Sequence, residues 1–476
     1  MLFNSIDFAI FFAFVFTIYW TLISKLALRY QNAFLLGVSY LFYGWWDYRF
    51  LSLIIISSAI DYTLGLKIHK EEKPPRRKLL LGLSLISNLG ILGFFKYFDF
   101  FLDSFESAFT FLGADIDIGR LNVILPVGIS FYTFQTLSYT IDIYRKNLEP
   151  TGNPLTFFAF VSFFPQLVAG PIERATNLLP QFEMQKSFDY HRARSGFLLA
   201  LWGLFLKVVI ADRLAIFINN VYGSVDDTTG VSLVIAIVFF AFQLYIDFYA
   251  YSIIAIGIAR SIGFDLMTNF RRPYLATSFS AFWQRWHISL STWFRDYLYI
   301  PLGGSKGSSL LTKRNVLIVF IVSGLWHGAS WNFVIWGLIN GLFLILLNKI
   351  LGKILPIKKL ISPILIFSLW AISLVFFRAV TFSDALTIFS KLGLRDVALI
   401  YDHGLNSLEL KLSIALIAGL MLFEILQEKV PDLAERFYRS FFLLRWAVYL
   451  SLLLAITFMG SYGENASDNS FIYFQF

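Results

Sequence analysis

The chain has 476 residues, of which 57% are hydrophobic and only 15% are charged, whereas roughly a quarter of the residues in soluble globular proteins are charged. This composition excludes an ordinary soluble protein and indicates a chain that crosses a bilayer repeatedly. The sequence contains no cysteine, which excludes disulfides, thiolate metal ligands and cysteine nucleophiles. The net charge of +8 is distributed over short loops, which favours a role in membrane topology over nucleic-acid binding.

The first apolar stretch, Phe8–Leu22, predicts a retained membrane helix, because no basic segment precedes it and no small-residue cleavage site follows it. Two further helices, roughly Ala33–Trp46 and Leu51–Leu66, are predicted on either side of a turn at Asp47-Tyr48-Arg49. The apolar runs do not alternate with polar residues, as the strands of a membrane barrel would. The pattern therefore predicts an all-α polytopic membrane protein with about eleven transmembrane helices.

Basic residues concentrate in cytoplasmic loops, so the segments Lys25–Arg29 and Lys67–Lys78 mark the cytoplasmic side. Two helices fit between them, and the N-terminus is therefore predicted outside, in the periplasm. A helix at about Leu79–Phe95 then leads to an acidic stretch that suits the external face. Its carboxylates are Asp99, Asp103, Glu106, Asp115 and Asp117.

The apolar run Val231–Ile258 predicts a helix that returns to the cytoplasm. It leads into Arg260–Arg314, where eight arginines and lysines stand against two aspartates. Tryptophans and tyrosines alternate with arginines there, which predicts re-entrant or interfacial helices. A solvated connector with an aromatic belt is the alternative. No repeat or soluble domain is evident, so a single domain over residues 1–476 is predicted.

Of the five histidines, His327 alone lies in a long hydrophobic run. That run, Asn315–Val334, predicts a helix, and an ionisable residue within it is expected to face a cavity or a polar partner. A neutral imidazole in such a pocket can accept a proton from a hydroxyl group. From the residues alone, a catalytic base and a structural histidine between packed helices remain alternatives.

Helical spacing predicts which side chains accompany His327. Ser323, Ser330 and Trp331 fall on its face of the predicted helix. Gly324 and Gly328 form a small-residue step that lets another helix approach closely.

His287 precedes two serines in Trp286–Ser291, but the sequence there lacks the Gly-x-Ser-x-Gly elbow of many serine hydrolases. Two histidines without a nearby carboxylate pair also make a poor metal site, so none is predicted. His69, His191 and His403 lie in polar stretches and are interpreted as solvated.

The basic segment could bind an anionic, nucleotide-bearing acyl donor. Arg271, Arg272, Arg285 and Arg295 could hold phosphates by charge, and the glycine-rich turn Pro301–Gly307 could do so through its backbone N–H groups. The turn lacks the spacing of a P-loop and the strand that precedes one.

Several polar residues interrupt apolar runs and need partners if they are buried. Asp247 either lines a cavity or pairs with an arginine, and we favour the arginine pair. The full set is Gln135, Asp142, Lys207, Asp212, Gln243, Asp247 and Glu424.

Six motifs along the chain resemble the membrane-bound O-acyltransferase family, and in particular its alginate O-acetyltransferase branch. They occur in the family's order and span most of the chain, although the first helices and Val380–Arg445 match weakly. The motifs are Gly128–Gln135, Phe164–Ile172, Asn269–Tyr274, Phe282–Gly304, Gly324–Ala329 and Phe471–Phe476.

The resemblance implies a central funnel or tunnel through an inner-membrane enzyme, with His327, in the Trp-His-Gly motif, as the catalytic residue. It implies that His287 is a second functional site near the cytoplasmic entrance. Acyl-CoA, with acetyl as the expected acyl group, would be the donor substrate, and no permanently bound cofactor is implied. A periplasmic acetyltransferase partner and a polysaccharide acceptor are also implied.

Two alternatives remain at this stage. The acceptor could be peptidoglycan, or a teichoic acid that receives D-alanine. The chain could instead be a polysaccharide or proton-coupled transporter that uses His327 as a proton relay, although it shows no internal symmetry of the kind that many transporters have.

Overall fold

The computed structural model describes the chain except for residues 115, 117, 118, 122, 169, 229, 352–357, 394–402, 463–470 and 473–476. The expected external residues Asp115 and Asp117, and the last four residues of the motif Phe471–Phe476, therefore lie outside the described residues. Within the described part of the chain the structure is helical and contains no strand. The predicted all-α fold class is confirmed.

Twenty-one α-helices occur in the described ranges. In chain order they are α1 (Ile6–Thr21), α2 (Leu28–Asp47), α3 (Leu51–Lys70), α4 (Pro74–Leu92), α5 (Phe98–Phe111), α6 (Ile129–Tyr144), α7 (Pro154–Ser162), α8 (Phe164–Leu167), α9 (Ala175–Leu178), α10 (Tyr190–Phe205), α11 (Asp212–Gly223), α12 (Gly230–Ser261), α13 (Phe279–Trp283), α14 (Ile288–Phe294), α15 (Ser309–His327), α16 (Trp331–Leu351), α17 (Lys358–Arg378), α18 (Phe382–Lys391), α19 (Ser407–Lys429), α20 (Leu433–Arg439) and α21 (Phe442–Met459). Three π-helical segments, Gly93–Tyr97, Leu206–Ala211 and Arg295–Tyr299, continue α4, α10 and α14.

Seven helical runs in the described chain are long and apolar enough to cross a bilayer, which confirms a polytopic membrane protein. The predicted number of about eleven spans stays a prediction. The seven runs are Ile6–Lys25, Leu28–Lys70, Pro74–Phe111, Gly230–Ser261, Ser309–His327, Ile361–Arg378 and Phe442–Met459.

The turn between α2 and α3 lies where the sequence predicts it. The side chain of Asp47 accepts a hydrogen bond from the backbone N–H of Arg49 at 2.9 Å, and the guanidinium of Arg49 lies 2.6 Å from the same carboxylate. A short polar residue that captures a backbone donor in this way ends a helix. Two α-helices of 20 residues each are therefore joined by a single 3₁₀ turn.

The described chain divides into two compact units. The first consists of Met1–Phe197, Ala255–Met267 and Gly328–Ser330, and the second of Leu198–Ile254, Thr268–His327 and Trp331–Phe476.

In the first unit, α3 and α4 pack on α6 around a buried polar network. The two carboxylate oxygens of Asp61 accept hydrogen bonds from the Ser84 hydroxyl at 2.6 Å and from the Asn88 amide at 2.7 Å. Gly65 permits the close approach of α3 and α6, because a Cβ there would lie 2.7 Å from the ring of Tyr139. Hydrogen bonds and close packing thus fix these three helices together.

In the second unit, α15 and α16 form a tightly packed pair. A Cβ on Gly324 would lie 2.2 Å from the carbonyl oxygen of Phe333, and one on Gly337 would lie 2.3 Å from that of Phe320. The predicted close approach at Gly324 is thus present, and its counterpart is Gly337. The helices come close enough for their backbones to touch, which only glycine allows.

The prediction of one helix over Asn315–Val334 is wrong. Helix α15 ends at His327, and α16 begins at Trp331 after three residues that include Gly328 and Ser330. The break contains small and polar residues, Gly328 and Ser330, which the helix prediction did not take as a stop signal. Of the residues predicted to share a helical face with His327, only Ser323 does so.

Candidate active site

His327 is the last residue of α15, and its imidazole is enclosed by aromatic rings. Its ring centroid lies 5.1 Å from that of Trp336 on α16 and 5.4 Å from that of Phe377 on α17, both nearly edge-on. The side chain is only 5% exposed. Three helices of the second unit therefore surround the ring and leave little of it exposed to solvent.

His287 lies directly before α14, in a backbone conformation with a φ of 41°. Asn269 holds this turn in place, since its carbonyl accepts from the N–H of Ile288 at 2.8 Å and its side chain accepts from the Ser289 hydroxyl at 3.0 Å. Burial lowers the pKa of His287 to about 3, so its imidazole is neutral near neutral pH. The turn thus presents a neutral, rigidly held ring.

The two histidines that the sequence singles out come together. Their ring centroids are 6.3 Å apart, although 40 residues separate them in the chain. Both line one cavity of about 130 Å³, which is about four times the volume of a water molecule in the liquid. The other polar residues of its lining include Ser291 and Ser323.

The rest of the cavity lining is apolar and aromatic. It includes Trp283, Leu290, Phe294, Val319, Phe320 and Leu344. An apolar pocket with a few convergent polar groups is the usual form of a small-molecule site. Its size suits a group of a few heavy atoms.

The structure brings together two of the four candidate arginines. Arg272 and Arg285 both pair with Glu428 of α19, at 2.6 and 3.0 Å. Arg295 pairs with its neighbour Asp296 at 2.7 Å, and the side chain of Arg271 is exposed. Two guanidinium groups around one partly exposed carboxylate leave an excess of positive charge.

Three N–H groups of the glycine-rich turn are used by the local backbone. Those of Gly303 and Gly304 donate to the carbonyls of Ile300 and Tyr299, and that of Lys306 donates to Gly303, at 2.9 to 3.0 Å. Asn315 in turn donates to the carbonyls of Leu302 and Gly304, at 3.2 and 3.0 Å. These donors stabilise the turn itself.

The prediction that Asp247 pairs with an arginine is wrong. Its carboxylate lies 2.8 Å from the ammonium of Lys207, which also lies 2.8 Å from the carboxylate of Asp212. All three residues are polar interruptions of apolar runs. The sequence therefore indicates that each needs a partner, but it does not indicate which residues pair.

The remaining histidines lie apart from this cavity lining. His69 and His191 are exposed, as predicted. His403 is half-buried, and its ring packs against Phe217 at 5.9 Å between centroids. Sequence reasoning missed Trp336, Phe377 and Glu428. Phe377 and Glu428 lie on helices distant in the sequence, and Trp336 contacts His327 only because the helix breaks between them.

Comparison with known proteins identifies the family. The family model described as membrane-bound O-acyltransferase family matches residues 146–355. The chain is 44% identical over 319 residues to a probable alginate O-acetylase from Pseudomonas syringae pv. tomato. The aligned residues cover 66% of this chain and 61% of that protein. It is 40% identical over 357 residues to the probable alginate O-acetylase from Azotobacter vinelandii, with 74% and 70% covered.

A peptidoglycan O-acetyltransferase from Helicobacter pylori is 35% identical over 401 residues, with 78% of this chain and 75% of that protein covered. These identities extend over most of the chain and agree with the multi-pass helical structure. The chain therefore belongs to the membrane-bound O-acyltransferase family of enzymes.

Proposed function

We propose that this protein takes an acetyl group from cytosolic acetyl-CoA and passes it across the inner membrane for O-acetylation of an extracellular polysaccharide such as alginate. The observation that carries the proposal is the pair His287 and His327 at one cavity, in a chain of this family. The alginate O-acetylases that resemble the chain support the acyl group and the polymer class. Residues 1–476 would form one acyltransferase domain.

In this mechanism His327 acts as the general base. An acceptor hydroxyl gives its proton to His327 while its oxygen attacks the carbonyl carbon of the thioester. The new C–O bond forms, the C–S bond breaks, and the thiolate leaves and takes up a proton. His287, a neutral ring at the same cavity, orients the donor or assists the proton transfer.

Arg272 and Arg285 are proposed to attract the phosphates of the donor. They belong to the basic segment Arg260–Arg314, which we place on the cytoplasmic side together with Lys67–Lys78, and the N-terminus on the periplasmic side. The acceptor would be reached from the other face, through a periplasmic acetyltransferase partner that carries the acetyl group onward to the polymer.

Mutation of His327 tests the chemistry. The variant His327→Ala, purified and folded, is expected to lose roughly 10²- to 10⁴-fold in acetyl-CoA turnover, the usual contribution of a general base. Cells that carry it should not acetylate their polymer. The exposed His191 provides a matched control, since His191→Ala should keep wild-type turnover. Full activity of His327→Ala would falsify the mechanism.

The orientation can be tested separately, because a chain without cysteine is suited to single-cysteine labelling. A cysteine placed at Glu72, in the cytoplasmic loop Lys67–Lys78, should react only with membrane-permeant reagents in intact cells. One at Asp227, which with Asp226 forms a candidate external loop before the helix that returns to the cytoplasm, should also react with impermeant ones. The reverse pattern contradicts the proposed direction of transfer.

Peptidoglycan is the second candidate acceptor, and the Helicobacter pylori relative favours it. A gene deletion distinguishes the two acceptors. Acetate that mild base releases is measured from purified peptidoglycan and from exopolysaccharide of the deletion strain. Loss from the exopolysaccharide alone supports the first proposal, and loss from peptidoglycan alone supports the second.

A further inference from the structure

A buried group of three charges lies in the second unit and has no place in the mechanism above. Lys207 lies 2.8 Å from both Asp212 and Asp247, and the exposed fractions of the three side chains are 1%, 5% and 2%. Buried ion pairs of this kind are stable only when hydrogen bonds satisfy the remaining oxygens. The second oxygen of Asp247 therefore needs a donor.

The backbone around Phe471 supplies that donor. The N–H of Ile472 donates to Oδ2 of Asp247 at 2.9 Å, 225 residues away in sequence. Phe471 and Ile472 are 0% and 2% exposed, so both side chains are completely enclosed. A charge-assisted hydrogen bond and two buried apolar side chains together anchor this short segment.

The anchored segment contacts α12 beside His287. The ring of Phe471 lies 4.3 Å from that of Tyr251 and 5.7 Å from that of Phe248, between centroids. Phe248 in turn meets the ring of His287 at 4.6 Å, nearly edge-on at 79°. A continuous series of ring contacts thus leads from Phe471 to the imidazole.

We propose that Phe471 is a positioning residue for acyl transfer: anchored by Asp247 through Ile472, it holds Phe248 against His287 and so fixes the imidazole beside the cavity. Close packing transmits the position of one ring to the next, because Phe248 cannot change its rotamer without colliding with the neighbouring ring of Phe471. The proposal rests on the proposed role of His287. It extends that role to a segment 184 residues further along the chain.

The test replaces Phe471 and measures turnover of acetyl-CoA by the full chain. Phe471→Ala should lower kcat about tenfold or more while KM changes by less than about twofold, because misplacement of a reacting group affects chemistry before binding. Phe471→Leu, which keeps most of the apolar volume, should recover most of the loss. Phe217 is the matched control: it is also 0% exposed, but its ring packs against Phe239 and His403.

Phe217→Ala should lower the yield or thermal stability of the folded protein and leave kcat per folded molecule within about twofold of wild type. A double-mutant cycle compares the activity of the double variant with that of each single variant, and it separates a positioning role from a purely structural one. If Phe471 acts through His287, adding Phe471→Ala to His287→Ala should cost no further activity. Independent losses that multiply, or a wild-type kcat in Phe471→Ala, overturn the proposal.

Further measurements distinguish failure of the positioning role from failure of the proposed function. If Phe471→Ala does not fold, Phe248→Leu tests the same series of contacts at its other end, and a wild-type kcat there overturns the proposal. If His287→Ala and His327→Ala both retain full turnover, the proposed function itself fails. If they are impaired while Phe471→Ala is not, only the positioning role fails.

Discussion

Two buried polar sites, one in each unit, have different surroundings. In the first unit, Asp61 is 0% exposed, and both of its oxygens accept hydrogen bonds from side chains of α4. In the second unit, His287 and His327 are nearly as buried, yet both line a cavity among aromatic rings. If His287 and His327 have the proposed roles, burial alone does not mark a functional residue in this protein. Space beside a buried polar group, large enough for a substrate atom, is the better indicator.

The strongest test of this difference is His287→Ala. Because His287 is proposed to assist rather than to accept the proton, its loss should reduce acetyl-CoA turnover by roughly 10- to 10²-fold, less than the loss of His327. Because the ring is buried, turnover is compared per folded molecule, with thermal unfolding of the same preparation as the measure of folding. His403→Ala, which removes a half-buried histidine elsewhere in the unit, is the control and should keep its activity. Equal effects of the two variants would contradict the proposed role.

Asp61→Ala should show the opposite behaviour. It removes the buried carboxylate that accepts hydrogen bonds from the Ser84 hydroxyl and the Asn88 amide, at a cost of about 1–3 kcal/mol in the free energy of unfolding. Turnover per folded molecule should not change. Thermal unfolding in detergent and an activity assay on the same preparation measure both quantities.

The variant Asp61→Asn serves as the control, because it retains one acceptor oxygen and the shape of the side chain. It should lose less stability than Asp61→Ala. A loss of turnover in Asp61→Ala as large as that of His287→Ala would remove the distinction between the two sites.

The smallest expected effect concerns Glu428, which lies between Arg272 and Arg285. Glu428→Gln removes the negative charge and should lower the KM for acetyl-CoA by about two- to fivefold at low salt, since partly exposed ion pairs contribute little. The effect should diminish at high ionic strength. Glu435→Gln, which breaks the exposed pair with Arg439, should leave KM unchanged. An increased KM in Glu428→Gln would show that the carboxylate helps the donor bind.

Local signals in the sequence predicted much of the helical order. The turn at Asp47 and the helices on both sides follow from a polar residue between two apolar runs, and α12 matches the predicted Val231–Ile258 within three residues at each end. Such features depend on neighbours in the chain. They can be identified without knowledge of the tertiary structure.

The break after His327 and the partner of Asp247 depend on tertiary packing instead. Gly328 and Ser330 mark the break, but glycine and serine also occur inside membrane helices, so their presence alone does not specify where a helix ends. Lys207 and Asp247 belong to different helical segments, and no local pattern indicates which cation a buried carboxylate will contact. The motifs indicated the two histidines, but only the fold shows the rings that enclose them.

The end of α15 at His327 has an electrostatic consequence for the proposed chemistry. The last carbonyl groups of a helix have no partner within it, and together they place roughly half a negative charge at that end. A proton that His327 accepts from an attacking hydroxyl would create a cation next to this partial charge, a favourable interaction of about 0.3–1 kcal/mol, or up to about 2 kcal/mol where water is excluded. A helix that continued to Val334 would place its negative end two turns away from the imidazole. Because α15 instead ends at His327, its C-terminus would help to stabilise the transition state of the proposed reaction.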